Sequence, residues 1–343
     1  MEYRKKYDFL SLLTNIDIDS SIVTFRDDIT AQSFVANFNN ISIIYNKSSN
    51  KLLIHTNASI EDTNLKKTIN INGNITADNK RNLFFNYNAN SIPPELLLLY
   101  SNSDITNKVR TAGLYIDLNI EGKYEFPSGI RAINAKITSS KGEVFVKDVL
   151  LDKINIDSIQ TQLNYNVSNN KVNISDFELN FTKNSNIKLV ALDGSNINVK
   201  KVNFHGNLDF NNNSYNFNNI KISVLSYLIM GDLNYNKGKI NFVVDSPNAI
   251  DVLEIDKLWP TSVAKEARDW VVKHVIKGTI TKAQANGSIF SNKNGVKLNN
   301  IEGYALVANA NVIYVKGMPV AIANNVKLEF DDKHLSIKYS DGK

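Results

Sequence analysis

Cysteine is absent from this chain of 343 residues, which excludes disulfides, thiolate metal sites and cysteine nucleophiles, and removes any direct sign of redox compartment. No apolar run is long enough for a bilayer: Leu96 to Tyr100 and Val224 to Met230 are the longest, against the ~18 to 20 residues that a spanning helix needs. Charge of one sign never accumulates either. The 39 Lys and Arg are scattered among 34 Asp and Glu, so a formal net charge of +5 and a pI near 9.0 come without a basic stripe, and nucleic acid is not expected as a partner. The first residues do not read as a signal peptide, because the stretch from Tyr7 to Ile16 is broken by Asp8, Ser11, Thr14 and Asn15. The expectation is a cytosolic chain, or a piece whose export signal lies elsewhere.

Catalytic and metal-binding patterns are missing too. His55, His205, His274 and His334 are isolated in sequence and show no metal-ligand spacing. Asp209-x-Asn211-x-Asn213 opens like a calcium loop, but Ser214 stands where the sharp turn needs glycine and Ile220 where the bidentate Glu belongs, so it reads as a hairpin turn. Asp27-Asp28 and Asp331-Asp332 are adjacent, which on strands sends the two carboxylates to opposite faces. There is no glycine-rich phosphate loop and no nucleophile elbow. The sequence therefore predicts no catalytic residue, no cofactor and no metal.

What the chain does have is asparagine, 52 of its residues, and period-two alternation of apolar with polar side chains. Phe177, Leu179 and Phe181 alternate with Glu178, Asn180 and Thr182; Ile220, Ile222 and Val224 alternate with Lys221 and Ser223. Short turn signals such as Asn169-Asn170, Asn211-Asn212-Asn213 and Asn236-Lys237-Gly238 recur about every ten residues, which implies on the order of twenty or more strands. Asparagine then serves as polar filler on strands and turns. So many strands exceed one closed sandwich, and the expected fold is mainly β: an elongated, curled antiparallel sheet with two short helical insertions, its apolar side chains lining one inner groove. Phe177, Leu179, Phe181, Ile220, Ile222 and Val224 are the groove candidates.

Alternation fails in two places. Ser91-Ile92-Pro93-Pro94-Glu95 before Leu96 to Tyr100 predicts a short helix in an insertion near 91–107. From 246 to 278 the pattern is helical: Ser246-Pro247 as one start, Trp259-Pro260 as a break, Thr261 or Ser262 capping a second helix, and Gly278 as its left-handed stop. Val263, Ala267, Trp270, Val271 and His274 make one stripe of that helix. This divides the chain into a β-groove region (1–245), a helical cap (246–278) and further groove strands (279–343). Trp259 and Trp270 are expected to pack against the sheet, with Arg268 anchored by a carboxylate or by carbonyls at a helix end.

Leu258-Trp259-Pro260, then Ala267-Arg268-Asp269-Trp270-Val271, then Lys277-Gly278-Thr279-Ile280 resemble the central region of AsmA-like proteins of the YhdP type. Downstream, Ile301-Glu302-Gly303, Val312 to Pro319 and Val326 to Phe330 are similar to the strand, glycine-proline turn and strand of that family, and the resemblance runs over essentially the whole chain. It implies a protein of the Gram-negative envelope, anchored in the inner membrane by an N-terminal helix and reaching through the periplasm. It also implies a non-enzymatic role in phospholipid transport toward the outer membrane, with acyl chains as the partner of the groove. Against that pattern the sequence reads as a fragment: membrane association would come from an anchor or partner outside it, with a continuation polypeptide or other envelope proteins as further partners. Two other readings remain, a structural or adhesive β-repeat protein with a dry core, and an all-β carbohydrate-active enzyme.

Overall fold

The computed structural model describes residues 15–27, 32–46, 48–49, 51–62, 67–78, 82–99, 108–182, 185–188, 196–261, 263–292, 295–315 and 317–342. The chain is mainly β, a large antiparallel sheet that is not closed, with a few short helices. Two compact units interleave in sequence: residues 1–100, 114–140 and 160–172 make one, and residues 101–113, 141–159 and 173–343 the other.

The first unit is a meander of β1 (Asn15–Asp27), β2 (Gln32–Asn46), β3 (Lys51–Asp62), β4 (Lys67–Ala77) and β5 (Asn82–Ile92), followed by helix α1 (Pro94–Leu99). Past β6 (Val109–Ala112), which belongs to the second unit, it continues with β7 (Ile116–Glu125), β8 (Gly129–Ser139) and, beyond β9 (Gly142–Val146), the latter half of β10 (Ile154–Asn166). Each pair is antiparallel, so residues opposite one another share a face and the register can be read across the unit. One such row is Ile16, Ile43, Ile54, Ile75, Phe85, Gly122, Ile133 and Tyr165, one residue from each of eight strands. The row one residue further on, Asp17, Ser42, His55, Asn74, Asn86, Glu121, Asn134 and Asn164, is polar throughout and lies on the other face.

Asparagine is therefore more than filler. Asp19, Asn40, Asn57, Asn72, Asn88, Asn119, Lys136 and Gln162 form a second polar row. Its side chains bond across strands: Asn40 Nδ2 donates to Asp19 Oδ1 at 3.2 Å and Asn119 Nδ2 to Asn88 Oδ1 at 2.6 Å. An amide carries both donors and an acceptor, so it can bond to the strand on either side, which an ionised carboxylate, an acceptor only, cannot do with another acceptor. On the apolar face the larger side chains stay half-buried or exposed. Burial there is reached by the small Ala36, Ala58 and Ala89 and, where α1 packs on Ile69, Ile71, Ile116 and Leu118, by Ile92 and Leu96.

The second unit holds β6, β9, the start of β10, β11 (Lys171–Phe181), β12 (Asn186–Lys188), β13 (Asn196–Asp209), β14 (Ser214–Val224), β15 (Tyr227–Asn236), β16 (Lys239–Ser246) and β17 (Ile250–Asp251). A 3₁₀ turn (Val252–Glu254), α2 (Ile255–Leu258) and α3 (Lys265–His274) then precede β18 (Val275–Asn292), β19 (Gly295–Val312), β20 (Ala321–Asp331) and β21 (Leu335–Gly342). Strands β13, β14, β15, β16, β18, β19, β20 and β21 pair in that order, and β16 and β17 lie one after the other along β18. The same two-faced logic holds: Gly206, Phe217, Leu233, Phe242, Gly287 and Ile301 form one row, and Asn207, Asn216, Asn234, Asn241, Ser288 and Asn300 the adjacent row on the other face.

In both units a glycine faces an aromatic ring across the ladder. Gly73 opposes Tyr87, Gly122 opposes Phe85, Gly206 opposes Phe217, Gly287 opposes Phe242 and Gly303 opposes Phe330. A Cβ at any of the five would come within 3.0 Å of the ring, which lies over the glycine backbone and covers it.

The helical segment differs in detail from the sequence expectation. Ser246 and Pro247 start no helix: Ser246 ends β16, and the 3₁₀ turn begins later with Asp251, whose carboxylate accepts from Leu253 N at 3.0 Å. Thr261 does not cap α3, Ser262 lies outside the described residues, and the residue at the cap is Ala264 at φ 43°, ψ 52°. Pro260 supplies the reason, since its carbonyl closes a turn to Val263 N (3.1 Å) and the chain must reverse at Ala264 before the first helical bond, Arg268 N to Ala264 O, can form. Gly278 does not stop the helix, which ends at His274 because Val275 is already extended. Instead Gly278 sits inside β18 at φ 150°, where a Cβ would stand 2.8 Å from Val307 Cγ1. The part of the first helical insertion from 100 to 107 lies outside the described residues.

Candidate functional site

The small residues of the second unit's apolar face are concentrated on its central strands. Reading across from β16 to β20, one row is Val244, Ala285, Gly303 and Phe330, and the next is Ser246, Ala283, Ala305 and Leu328. Large side chains at the flanks and alanine or glycine in the middle leave a trough, about 410 Å³ in volume. The chain from Ile250 to Val263 walls it with Val252, Ile255, Leu258 and Trp259, and Val271 of α3 adds to the enclosure. Pockets that hold small ligands run from about 300 to 1,000 Å³ and are mostly apolar.

Hardly any polar group reaches this cleft. Ser246 Oγ is spent on Asn248 O at 3.1 Å. Asp245, Gln284 and Tyr304 pair with one another across β16, β18 and β19, one residue out of step with the alanine rows, so their side chains point to the opposite face. There the Tyr304 ring is flanked by Lys282 and Lys327 Nζ, 5.9 and 5.5 Å from its centroid.

A second hollow, of about 610 Å³, borders the cleft along Leu258, Trp259 and Pro260 and is otherwise lined mainly by Asn186, Asn196, Asn198, Asp256, Lys257 and Thr261. The shared edge is built by hydrogen bonds. Arg268, whose side chain is 11% exposed, donates from Nε to Trp259 O at 2.7 Å, from Nη2 to Asp256 O at 3.0 Å and from Nη1 to Asp269 Oδ1 at 3.3 Å. Its guanidinium thereby satisfies carbonyls at the end of α2 that the helix leaves open. Hydrogen bonding and charge from Lys265, then hydrogen bonding and charge from Arg268, hold the Asp269 carboxyl below its ordinary value. Trp259 donates from Nε1 to Val263 O at 2.7 Å and packs on Phe330 with ring centroids 5.0 Å apart.

The residues singled out from sequence fall in several places. Leu179, Phe181, Ile222 and Val224 meet in one cluster with Leu150, Ile187 and Val199, in which Phe181 and Val224 are buried. Phe177 stacks on Phe204 at 4.3 Å, and Phe204 meets Phe217 edge-on at 5.2 Å. Ile220 lies opposite Gly231, in the row that leads through Val244 to the cleft. Leu258, Trp259 and Pro260 form the edge between the two hollows, whereas Trp270 lies away from the cleft, stacked on His274 at 4.9 Å and tilted against Tyr314 at 6.3 Å. Sequence reasoning named none of Phe242, Val244, Ala283, Ala285, Ala305 and Phe330 as groove residues, although Phe330 ends a run that it did quote. Alternation marks their face, but only the register shows that alanines of β18 and β19 adjoin between larger neighbours.

Among the described residues no three His, Asp or Glu side chains come together to hold a metal ion, and no helix is long and apolar enough to cross a membrane. Comparison with protein-family models, with curated proteins and with solved structures finds no match to this chain.

Proposed function

We propose that this chain is a non-enzymatic lipid-binding protein whose apolar sheet faces receive acyl chains, serving phospholipid transport between the inner and outer membranes of a bacterial envelope. The observation that carries the reading is the first unit's apolar face, aligned across eight strands and left half-buried, with α1 alone among the described elements packed on one part of it. A surface of that kind has apolar area still to remove from water, and each methylene buried on it is worth about 0.8 kcal/mol. The polar rows behind it keep the other side of the sheet hydrated. A periplasmic location, with the membrane reached through an anchor or partner, belongs to the same proposal and rests on the resemblance of the tryptophan motif.

Native mass spectrometry and solvent extraction of the purified chain test it. Bound phospholipid, lost when Ile54 or Ile120 is replaced by Asp while the β circular-dichroism signal persists, is the expected result. Lipid-free protein that does not take up phospholipid from vesicles would overturn the reading and favour a structural β-repeat scaffold.

A further inference from the structure

The apolar cleft and the polar hollow of the second unit share one edge, and we infer that together they form a site for a single-chain amphiphile with an uncharged, hydrogen-bonding head. The inference rests on the lipid-binding reading and adds the class of molecule. A cleft of about 410 Å³ suits one alkyl chain and is too small for the pair of chains on a diacyl lipid. Its floor is alanine and glycine and its walls are aliphatic or aromatic. The one hydroxyl on that floor, Ser246, is already bonded, so a polar head cannot be satisfied inside and must lie beyond the edge.

Beyond the edge lies the hollow with its asparagines. Asn186, Asn196 and Asn198 line it with amides that both donate and accept, the pattern that suits the hydroxyls of a glycerol or sugar head; Asn198 Nδ2 already donates to Asn186 Oδ1 at 3.4 Å, a bond that a head-group hydroxyl would join or replace. An anionic head fits poorly. The hollow's single cation among the described residues, Lys257, is held by both oxygens of Glu254, at 2.9 and 3.0 Å, and Asp256 adds a negative charge. A cationic head would have to compete with Lys257 for Asp256, the hollow's one carboxylate among the described residues. Arg268 keeps the edge in place through the carbonyls of Asp256 and Trp259, so it is a positioning residue for both halves of the site.

The test titrates the full chain, in a Trp270→Phe background that leaves Trp259 as the sole tryptophan. The probes are a 1-monoacylglycerol, the fatty acid of equal chain length and the matching alkyltrimethylammonium, all below their micelle concentrations. Trp259 emission should report binding of the monoacylglycerol about tenfold tighter than of either charged probe, because the carboxylate would be desolvated against a lysine already paired with Glu254 and the ammonium would compete with Lys257 for Asp256. Asn196→Lys, at an exposed position, should improve fatty-acid binding about tenfold and leave the monoacylglycerol within about twofold. Ala283→Leu should fill the floor and abolish binding of all three, provided circular dichroism shows it folded; the Asn196→Lys comparison decides the matter if it is not. Equal affinity for the three heads, or no response to Asn196→Lys, overturns the assignment of the hollow. Binding that survives a folded Ala283→Leu overturns the cleft. If none of the probes alters Trp259 while phospholipid still co-purifies with the chain, this site is wrong and the lipid-binding reading stands. Failure of both measurements removes both.

Discussion

The two units are built from the same pleated rows and differ in what lies over the apolar face. In the first unit Ile43, Ile54, Ile75 and Ile133 stay half-buried although they stand in one line across the strands. In the second, the corresponding face around β18 to β20 carries the segment from Ile250 to His274, and Val252, Val271, Ile280, Val307 and Leu328 are buried to 5% exposure or less. Alternation makes a face apolar; a covering element makes it a core. Substitutions of the same type should therefore cost unequal amounts in the two units.

The largest effect is expected for Trp259→Ala, which removes the ring from Phe330 and Leu258 together with its bond to Val263 O. It should destabilise the second unit by about 3 kcal/mol, at the low end for buried aromatics because the ring is only partly buried. By contrast Ile54→Ala should cost about 1 kcal/mol, since its methylenes are already half in water. Chemical denaturation of the two variants checks the contrast, and equal losses would break it.

Next come the glycines beneath rings. Gly287→Val would drive its side chain against Asn300 O and the Phe242 ring, inside a face walled by the helical segment. A loss of about 2 to 3 kcal/mol is expected, typical of overpacking. At Gly122 the nearest atoms all belong to the Phe85 ring, on a face that no described element covers there and where the ring can swing away, so Gly122→Val should cost about 1 kcal/mol. Thermal melts rank the pair, and a larger loss at Gly122 would show that the first unit's face is covered after all.

Arg268→Lys keeps the charge but cannot reach the carbonyls of Trp259 and Asp256 and the Asp269 carboxylate together, and should cost about 1 to 2 kcal/mol. Hydrogen exchange should localise the loss to the amides of 255–270, with the first unit unaltered.

The smallest effect is electrostatic. Glu329, on the hydrated face of β20, is bonded to Lys327 and Lys338, which pull its carboxyl down to about 2. A carboxyl whose pKa is lower in the folded state stabilises above its unfolded value near 4.5, and that stabilisation is lost as pH falls toward 2. The group is exposed, so Glu329→Gln should flatten the acid side of the stability profile only slightly between those two values. A stability profile between pH 5 and pH 2 that is steeper in the variant than in the unaltered chain would contradict this.

Much of this fold was legible from residues alone. Alternating runs such as Ile220, Ile222 and Val224 are strands, and Asn236-Lys237-Gly238 is a tight hairpin with Lys237 at φ 47° and Gly238 at φ 87°. Pro93-Pro94 starts the first helix, and Trp259-Pro260 breaks the second helical segment with Trp259 extended at φ −98°, ψ 109°. Local sequence decides such features because backbone sterics and side-chain periodicity act within a few residues.

Tertiary structure alone decided which strand faces which, because register is a property of pairs. Bulges show it most plainly: Phe38 and Ile41, three apart, reach the same face of the first unit because the register slips at Asn39, and Phe217 and Ile220 do so in the second, across Asn219 at φ 52°. A strict period of two assigns each pair to opposite faces. The partners of Arg268 were legible only as a type, a carboxylate or carbonyls at a helix end; the fold supplied both, since the turn at Ala264 brings α3 back over the end of α2. The cleft is of the same origin. Ala283 and Ala305 carry no signal of their own in the sequence, and they become the floor of a site because β18 and β19 pair them side by side while the segment from Ile250 to Val263 stands over them.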